Sequence, residues 1–338
     1  MIQTPLIIVL AAHLALLLPI SSGIKPHGAT TASARTTPSS QAYFALCAAV
    51  KDTPDNIRQW VEYHTALGIN KIYLMDTDDP QPHLITTAIA DYVATGQVEF
   101  YSLPRVTPRT INLLQVKLYD ACLESARGLH TFVGFWDVDE FLIPLDEEIM
   151  HKITDEKEGL SSFLERFEEY GGLAVGWRVV GPSGHITKPV EHEQNTSKSI
   201  LSSYTLCTTW DFLDNEEFKT IVNTNYALHP TSDPHTFVYT EGKYAVDADK
   251  NRIEGGRNPL IRKNWVEKRQ PPKFALYHYV TKSEEEYREK MQRGSAMGNR
   301  KDWTYFKRIE QAATEVCTEA KDVCKRVGKC LSRNPDVF

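Results

Sequence analysis

The chain alternates short apolar runs with amphipathic segments from Tyr43 onward. The first run, residues 43–50, has the length and composition of a buried strand. Thr53 then offers a helix N-cap and Pro54 a first helical position, and apolar residues follow at helical spacing up to Gly68. This pairing of strand and helix recurs along the chain and predicts an α/β sheet with helices on its faces.

Further strand and helix patterns follow before residue 150. The predicted strands cover residues 71–75, 98–103 and 132–143, and the predicted helices cover residues 84–93 and 113–123. Later patterns predict a helix near 160–170 and strands at 173–180 and 274–280, which are expected to complete the same domain. Ligands of open α/β sheets bind outside the carboxyl ends of the strands, so the chemistry is expected there.

Three carboxylates interrupt the last of the early apolar runs, at Asp137, Asp139 and Glu140. Burying unpaired carboxylates is costly, so such a group needs a cation or another charged partner. In an extended chain Asp137 and Asp139 point to one face and Glu140 to the other. Two carboxylates on one face can hold Mg²⁺ or Mn²⁺, which takes further ligands from a substrate phosphate. A surface loop is the alternative, but the flanking aromatic residues favour a buried nucleotide-diphosphate site.

Other acidic residues follow the first two predicted strands. Asp52 follows the first strand and Asp76 the second, with Asp78 and Asp79 close behind. Each of them alone is typical of a turn or a helix cap. Because the carboxyl ends of parallel strands meet at one edge, their shared placement predicts a common acidic rim.

The composition is that of a soluble globular protein, with 41% hydrophobic and 24% charged residues among 338. The net charge of −6 and the isoelectric point near 6.0 argue against a nucleic-acid-binding protein, which normally carries a basic face. A diphosphate ligand would instead be bound locally, by a metal ion and a few basic side chains.

Residues 1–41 differ in composition from the rest of the chain. Residues 5–20 form an apolar run that only His13 interrupts, so residues 1–23 predict a targeting segment, either a cleaved signal peptide or an uncleaved signal anchor. Residues 24–41 are rich in Ser, Thr, Ala and Pro and predict a flexible stem. We therefore expect a protein of the secretory pathway, either a type II membrane protein in the Golgi lumen or a secreted one. Asn195 would be its N-glycosylation site.

Six cysteines in a secretory chain are expected to be at least partly oxidised, although the sequence leaves their pairing open. Cys317, Cys324 and Cys330 lie near the C-terminus without a Cys-x-x-Cys pair, so a disulfide-bonded tail is favoured over a zinc site. The predicted organisation is one globular domain at 42–310, followed by this Cys-containing tail at 311–338.

Several short motifs, taken in order, match a known family. They are residues 47–52 (CAAVKD), 59–64 (QWVEYH), 67–68 (LG), 137–141 (DVDEF), 181–185 (GPSGH), 218–222 (FKTIV) and, between 278 and 294, His278, Tyr279, Lys282, Ser283, Lys290, Arg293 and Gly294. Over residues 44–300 the chain resembles glycosyltransferase family 92. The resemblance implies a GT-A-type nucleotide-sugar transferase domain, an α/β fold with a mixed central sheet and helices on both faces.

The resemblance also implies site residues. Asp137 and Asp139 match the metal and diphosphate motif, with Asp139 the stronger candidate for direct ligation. His278 matches the histidine that completes the shell of Mn²⁺ or Mg²⁺, although a histidine between two tyrosines is otherwise typical of a packed core. The expected donor-binding residues are Asp52, Asp76, Asp137 and Lys282. Lys282 would neutralise the leaving group, whereas its charged segment also fits a solvated helix face.

The activity implied by the resemblance is metal-dependent transfer of a hexose, with UDP-galactose as the expected donor and a glycan or polysaccharide hydroxyl as the acceptor. The family also implies inversion at the anomeric carbon. An inverting displacement needs a base within hydrogen-bond reach of the acceptor hydroxyl. The candidate carboxylates in the expected half of the chain are Asp211, Asp233 and Glu193, each of which also fits a surface loop.

Two other classes of protein stay open. One is a non-catalytic glycan-binding protein on the same fold, against which Asp137, Asp139 and His278 argue, because a sheet with no ion to hold gains nothing from such carboxylates. The other is a glycoside hydrolase that uses two carboxylates. Asp137 and Asp139 share a face, which suits one ion better than the two sides of a sugar ring.

Overall fold

The computed structural model describes residues 42–76, 82–103, 113–154, 159–191, 196–197, 199–294 and 302–328. The predicted targeting segment and stem lie outside the described residues, as do Asp78, Asp79, Glu193, Asn195 and Cys330. Within the described part, no helix is both long enough and apolar enough to cross a membrane.

The described elements alternate along the chain as the sequence pattern indicates. The strands are β1 (Phe44–Val50), β2 (Lys71–Asp76), β3 (Val98–Ser102), β4 (Phe132–Phe135), β5 (Glu140–Pro144), β6 (Gly172–Val179), β7 (Val190–Glu191), β8 (Thr196–Ser197), β9 (Leu206–Thr208), β10 (Phe218–Asn223), β11 (Ala227–Pro230), β12 (Phe237–Tyr239), β13 (Ala245–Val246), β14 (Phe274–His278) and β15 (Ala313–Val316). The α-helices are α1 (Pro54–Ala66), α2 (Pro82–Ala88), α3 (Ala90–Ala94), α4 (Leu114–Ala126), α5 (Glu147–Thr154), α6 (Ser161–Leu164), α7 (Ile200–Ser203), α8 (Pro259–Lys268), α9 (Glu284–Arg293), α10 (Trp303–Ala312) and α11 (Glu319–Val327), and short 3₁₀ helices cover Glu165–Phe167 and Leu213–Glu216.

The largest sheet has the strand order β3-β2-β1-β4-β10-β6-β14-β5, and β13 pairs with the start of β6. Strands β1 to β4 are parallel, whereas β10 is antiparallel to both β4 and β6. Strand β14 is parallel to β6, and β5 is antiparallel to β14. This mixed sheet confirms the predicted fold class. It brings the carboxyl ends of β1, β2, β4 and β14, together with the amino end of β10, to one edge.

Helix α1 holds strand β5, which begins immediately after Asp139, in its position. Pro54 occupies the start of the helix, as predicted, and Trp60 and Tyr63 are fully buried on its inner face. The indole of Trp60 donates a 2.8 Å hydrogen bond to the carbonyl of Glu140, and the hydroxyl of Tyr63 donates a 2.7 Å bond to the carbonyl of Leu142. These bonds hold β5 against the helix and so define where the acidic turn lies.

Disulfide bonds tie a helix and the C-terminal part of the chain to the strands. Cys47 of β1 is bonded to Cys122 of α4, and Cys207 of β9 is bonded to Cys317, which follows β15. Strand β15 also pairs with β9. Cys324 is disulfide-bonded as well, so none of the described cysteines is free. The expected oxidation is confirmed, and residues 313–317 are attached to the domain through β9.

Three predicted elements are wrong in extent. The predicted helix near 160–170 consists only of α6 and the short 3₁₀ helix Glu165–Phe167. The predicted helix at 84–93 is the pair α2 and α3, because Ile89 between them leaves the helical conformation with φ −119° and ψ 20°. The predicted strand at 132–143 is also two strands, β4 and β5, joined by a turn that contains Asp137 and Asp139. A hydrogen bond of 3.0 Å from the Glu140 N–H to the Asp137 carbonyl closes this turn.

The turn also overturns the predicted orientation of the third carboxylate. Glu140 does not point away from Asp137, because its Oε2 accepts a 2.9 Å hydrogen bond from the backbone N–H of Asp137. Both carboxylates share the cation Lys219, which a continuous strand with alternating side chains would not allow. The cost of burying Glu140 without a partner therefore favours the turn over an uninterrupted strand.

Candidate active site

Charged side chains lie along the edge of the sheet where the parallel strands end. Asp52 follows β1, Asp76 ends β2, Asp137 follows β4 and His278 ends β14. Lys219 reaches the same edge from the opposite direction, because it is the second residue of the antiparallel strand β10. The strand order therefore brings these charged side chains to one edge of the sheet, where the sequence predicts an acidic rim.

Asp139 lies between a histidine and a lysine. Nε2 of His278 is 3.6 Å from Oδ1 of Asp139, and Nζ of Lys290 is 2.5 Å from Oδ2. The carbonyl of Asp139 accepts a 2.9 Å hydrogen bond from the N–H of Tyr279, which joins the acidic turn to the end of β14. Burial alone would raise the pKa of Asp139, but Lys290 and His278 outweigh it and lower that pKa well below its ordinary value. The carboxylate is therefore ionised at neutral pH.

Asp137 is held on the other side of the turn by a buried lysine. Nζ of Lys219 is 3.1 Å from Oδ2 of Asp137 and 3.7 Å from Oε1 of Glu140. The amide of Gln115 donates a 2.5 Å hydrogen bond to Oδ1 of Asp137. Burial raises the pKa of Glu140 well above its ordinary value even though Lys219 opposes this shift. Burial opposes the charge of Lys219 too, but Asp137 and Glu140 raise its pKa, so one charged lysine serves two carboxylates.

A second group of charges surrounds Asp52. Nζ of Lys282 is 2.8 Å from Oδ2 of Asp52, and Nη2 of Arg293 is 3.3 Å from Oδ1. Lys282 has a left-handed backbone conformation with φ 52°, and the next residue, Ser283, caps helix α9 in a capping box with Glu286. Burial opposes the ionisation of Asp52, but Lys282 and Arg293 outweigh it and lower the pKa of this carboxyl.

Helix α9 links the two groups of charges. Lys290 and Arg293 are three residues apart and therefore share a face of the helix. Lys290 contacts Asp139, whereas Arg293 contacts Asp52. Together with Lys282, they place three cations beside the acidic rim. Ammonium and guanidinium groups in such a position can bind the oxygens of a diphosphate.

The structure places the predicted site residues as follows. Those that lie together at this edge are Asp52, Asp137, Asp139, His278 and Lys282. Asp76 is buried at the end of β2, where its carbonyl accepts a hydrogen bond from the N–H of Leu103. Asp211 is exposed in the turn after β9. Asp233 lies between β11 and β12, and its carboxylate accepts a 3.0 Å hydrogen bond from the N–H of His235.

The side chains at this edge offer ligand atoms of the types that bind a divalent metal ion. A carboxylate and an imidazole are both acceptable ligands of Mn²⁺, and the 3.6 Å between Asp139 and His278 is a gap that one ion can bridge. Among the described residues, no three side chains of His, Cys, Asp or Glu are arranged to hold a metal ion. Asp137 faces Lys219 and Gln115 instead, so its use as a third ligand requires its side chain to turn.

Sequence reasoning gave no role to Lys219, Glu140 or Gln115. A signal for Lys219 was available, because a lysine in a strand-like run with Phe218, Ile221 and Val222 needs a buried partner. Glu140 was recognised as a buried carboxylate, but its partner lies on a strand far away in sequence. Gln115 carries no local signal, because a glutamine in the first turn of a helix is ordinary.

A mixed sheet with this charged carboxyl edge is the architecture of a GT-A-type nucleotide-sugar transferase. The family model described as glycosyltransferase family 92 matches residues 43–311, which is most of the chain. The chain therefore belongs to glycosyltransferase family 92, as its motifs predicted. A comparison with curated proteins found no match.

Proposed function

We propose that this chain transfers galactose from UDP-galactose to a hydroxyl of a glycan or polysaccharide, with a divalent metal ion and with inversion at the anomeric carbon. We further propose that it acts in the secretory pathway, as a type II membrane protein of the Golgi or as a secreted protein. The observation that carries the proposal is that Asp139 and His278 lie at one sheet edge beside Lys282 and Lys290.

The charges at the edge fit a nucleotide diphosphate. Asp139 and His278 would hold Mn²⁺ or Mg²⁺, with Asp137 as a further ligand after its side chain turns. When bound, the ion supplies positive charge to the two phosphate groups. Lys282 and Lys290 already lie beside carboxylates at the edge, so either ammonium can bind a phosphate oxygen of the donor.

Lys282 is suited to stabilise the leaving group. When the bond between the anomeric carbon and the phosphate oxygen breaks, the electron pair stays on the diphosphate. Burial opposes the charge of Lys282, but Asp52 outweighs it and raises the pKa of the ammonium, so the group remains protonated. An ammonium held in place before the reaction stabilises the developing negative charge without having to reorganise. Asp52 and Asp76, at the ends of β1 and β2, lie on the side where the nucleoside would bind.

Incubation of the purified protein with a panel of nucleotide sugars, Mn²⁺ and glycan acceptors tests this proposal. We expect release of UDP from UDP-galactose and a product whose new anomeric proton shows a β-linkage by NMR. An α-linked product would contradict inversion. Release of the nucleotide from another donor, with none from UDP-galactose, would contradict galactose as the transferred sugar. A folded sample that cleaves no donor would favour the glycan-binding alternative. Cleavage of an oligosaccharide without any nucleotide would favour the hydrolase.

A further inference from the structure

A second cluster of polar side chains lies beside the donor site and consists of Glu217, His235 and Arg257. Glu217 directly precedes β10, and its carboxylate faces both of the other residues. Nη2 of Arg257 is 2.9 Å from Oε1 of Glu217, and Nδ1 of His235 is 3.6 Å from Oε2. The side chain of His235 is 15% exposed and that of Glu217 is 22% exposed. The two groups are thus largely sheltered from solvent but still accessible to a ligand.

The loop that carries His235 is anchored on both sides of the imidazole. The backbone N–H of His235 donates a 3.0 Å hydrogen bond to the carboxylate of Asp233, and its carbonyl accepts a 2.7 Å bond from the hydroxyl of Thr220. The imidazole packs edge-on against the indole of Trp177, with ring centroids 5.2 Å apart. Nδ1 is buried 3.6 Å from the carboxylate of Glu217, and no described residue forms a hydrogen bond with either ring nitrogen. The ring is therefore held by its anchored loop and by Trp177, with Nδ1 on the side of Glu217 and Nε2 on the other side of the ring.

The indole of Trp177 connects this imidazole to the donor site. Its ring centroid is 4.3 Å from that of His278, so the two imidazoles contact the same side chain. Glu217 and Lys219 are two residues apart at the start of β10, which places their side chains on one face of the extended chain. Lys219 reaches Asp137 on that face. The cluster therefore lies next to the acidic turn along the same edge of the sheet.

The strand order places the cluster on the side of β4 that lies away from Asp52 and Asp76. Asp52 and Asp76 lie at the ends of β1 and β2, on one side of β4, whereas Glu217 and Trp177 belong to β10 and β6, on the other side. In the proposed function, a donor with its nucleoside at β1 and its diphosphate at the acidic turn would direct its sugar toward β10 and β6. The acceptor hydroxyl must approach that sugar from the face opposite the diphosphate, because inversion requires in-line attack.

We propose that His235 is the general base that takes the proton of the acceptor hydroxyl, and that Glu217 positions its ring. This inference rests on the proposed inverting transfer. In the step, the acceptor oxygen forms a bond to the anomeric carbon while its proton passes to Nε2 of His235. The bond from the anomeric carbon to the diphosphate breaks, and its electron pair leaves with the diphosphate. The imidazolium that results is balanced by the carboxylate of Glu217.

Glu217 is better placed to support a base than to act as one. Burial opposes its ionisation, but His235 and Arg257 outweigh burial and lower the pKa of this carboxyl, which weakens it as a proton acceptor. An ionised carboxylate behind an imidazole orients the ring and stabilises its protonated form, the arrangement found where a histidine base acts on a hydroxyl. The other charged or titratable groups around His235 are Asp233 on its own loop, Arg257 behind Glu217 and His278 across Trp177.

Steady-state transfer kinetics across about pH 5 to pH 9 test the assignment, a range that covers the titration of histidine. We expect His235→Asn to lower kcat by about 10²- to 10⁴-fold with little change in the KM for the donor. The wild-type kcat should fall on the acid side, because a protonated imidazole cannot accept a proton. Glu217→Gln should cause a smaller loss, again in kcat and not in the KM for the donor, because the imidazolium formed in the step loses the carboxylate that balances it. His229→Asn is the matched control, since His229 is exposed on the same hairpin.

A structural role for the cluster predicts different results. Addition of imidazole to His235→Ala should restore part of the transfer if the ring itself carries the proton, and thermal melting shows whether each variant is folded. Wild-type kcat in His235→Asn would overturn the assignment. So would a loss that follows the melting temperature and is not rescued by imidazole. A wild-type protein that transfers from no donor would instead overturn the proposed function on which this inference rests.

Discussion

Nζ of Lys290 lies 2.5 Å from Oδ2 of Asp139, so the carboxylate expected to bind a metal ion is already paired with a cation of the protein. The same ammonium donates a 3.0 Å hydrogen bond to the carbonyl of Val280, which holds Lys290 just beyond the end of β14. A divalent ion that binds Asp139 must therefore displace Lys290 or share the carboxylate with it. The charges of the edge are balanced within the protein before any ligand binds.

Removal of the Lys290 ammonium should make the site bind metal more tightly. We expect Lys290→Met to lower the Mn²⁺ concentration for half-maximal donor cleavage by about two- to fivefold, because Asp139 loses a competing cation whose ion pair is partly exposed. Titration of donor cleavage with Mn²⁺ measures this value. Lys307→Met is the control, since Lys307 is exposed on α10. A requirement for more Mn²⁺ in Lys290→Met would show that Lys290 supports the metal site instead of competing with it.

Removal of the Lys219 ammonium should destabilise the fold. Lys219 and Glu140 are both fully buried, so Lys219→Met removes the cation that opposes the raised pKa of Glu140 and also the ion-pair partner of Asp137. The expected loss in the free energy of unfolding is about 3 to 5 kcal/mol, measured by denaturant titration. The double variant Lys219→Met, Glu140→Gln should recover part of this loss because a neutral amide replaces the buried carboxyl group. Lys325→Met, at an exposed position, should change stability little. A single variant as stable as the wild type would contradict this account of the turn.

Stability at acid pH should depend on Asp52. Lys282 and Arg293 lower its pKa in the folded state, whereas the unfolded chain has the ordinary value of about 3.8. A lowered folded pKa contributes stability above the unfolded value, and this contribution is lost as the pH falls through the folded value. We therefore expect Asp52→Asn to lower the free energy of unfolding at neutral pH, and the difference from wild type to shrink below about pH 4. Denaturant titrations from neutral to acid pH measure the difference, with Asp322→Asn as an exposed control. A difference that is constant with pH would contradict the ion pair as its cause.

The parallel half of the sheet could be predicted from local pattern. Each of its strands is a short apolar run next to a helix signal, and the strand predicted at 43–50 is observed at Phe44–Val50. The ends of the first two runs placed Asp52 and Asp76 at one edge. The resemblance to the family then added His278 and Lys282, which the structure brings to the same edge.

The turn between β4 and β5 could not be predicted in the same way. Apolar residues continue on both sides of Asp137, so local pattern favours one long strand. What decides the conformation is the pairing of Glu140 with Lys219, a residue of a distant strand. The role of His235 could not be predicted from local sequence either, because strands β11 and β12 around it are too short to give a periodic signal. Its significance depends on Trp177 and Glu217, which only the folded chain brings next to it.

Metal-dependent cleavage of the donor tests the central claim most directly. The release of UDP from UDP-galactose is measured for the wild type, for Asp139→Asn and for the exposed control Asp322→Asn, each with Mn²⁺ and with a chelator. The account predicts that release requires the metal, falls by about 100-fold or more in Asp139→Asn and is unchanged in the control. Release that persists in the chelator, or that proceeds at the wild-type rate in Asp139→Asn, would contradict it.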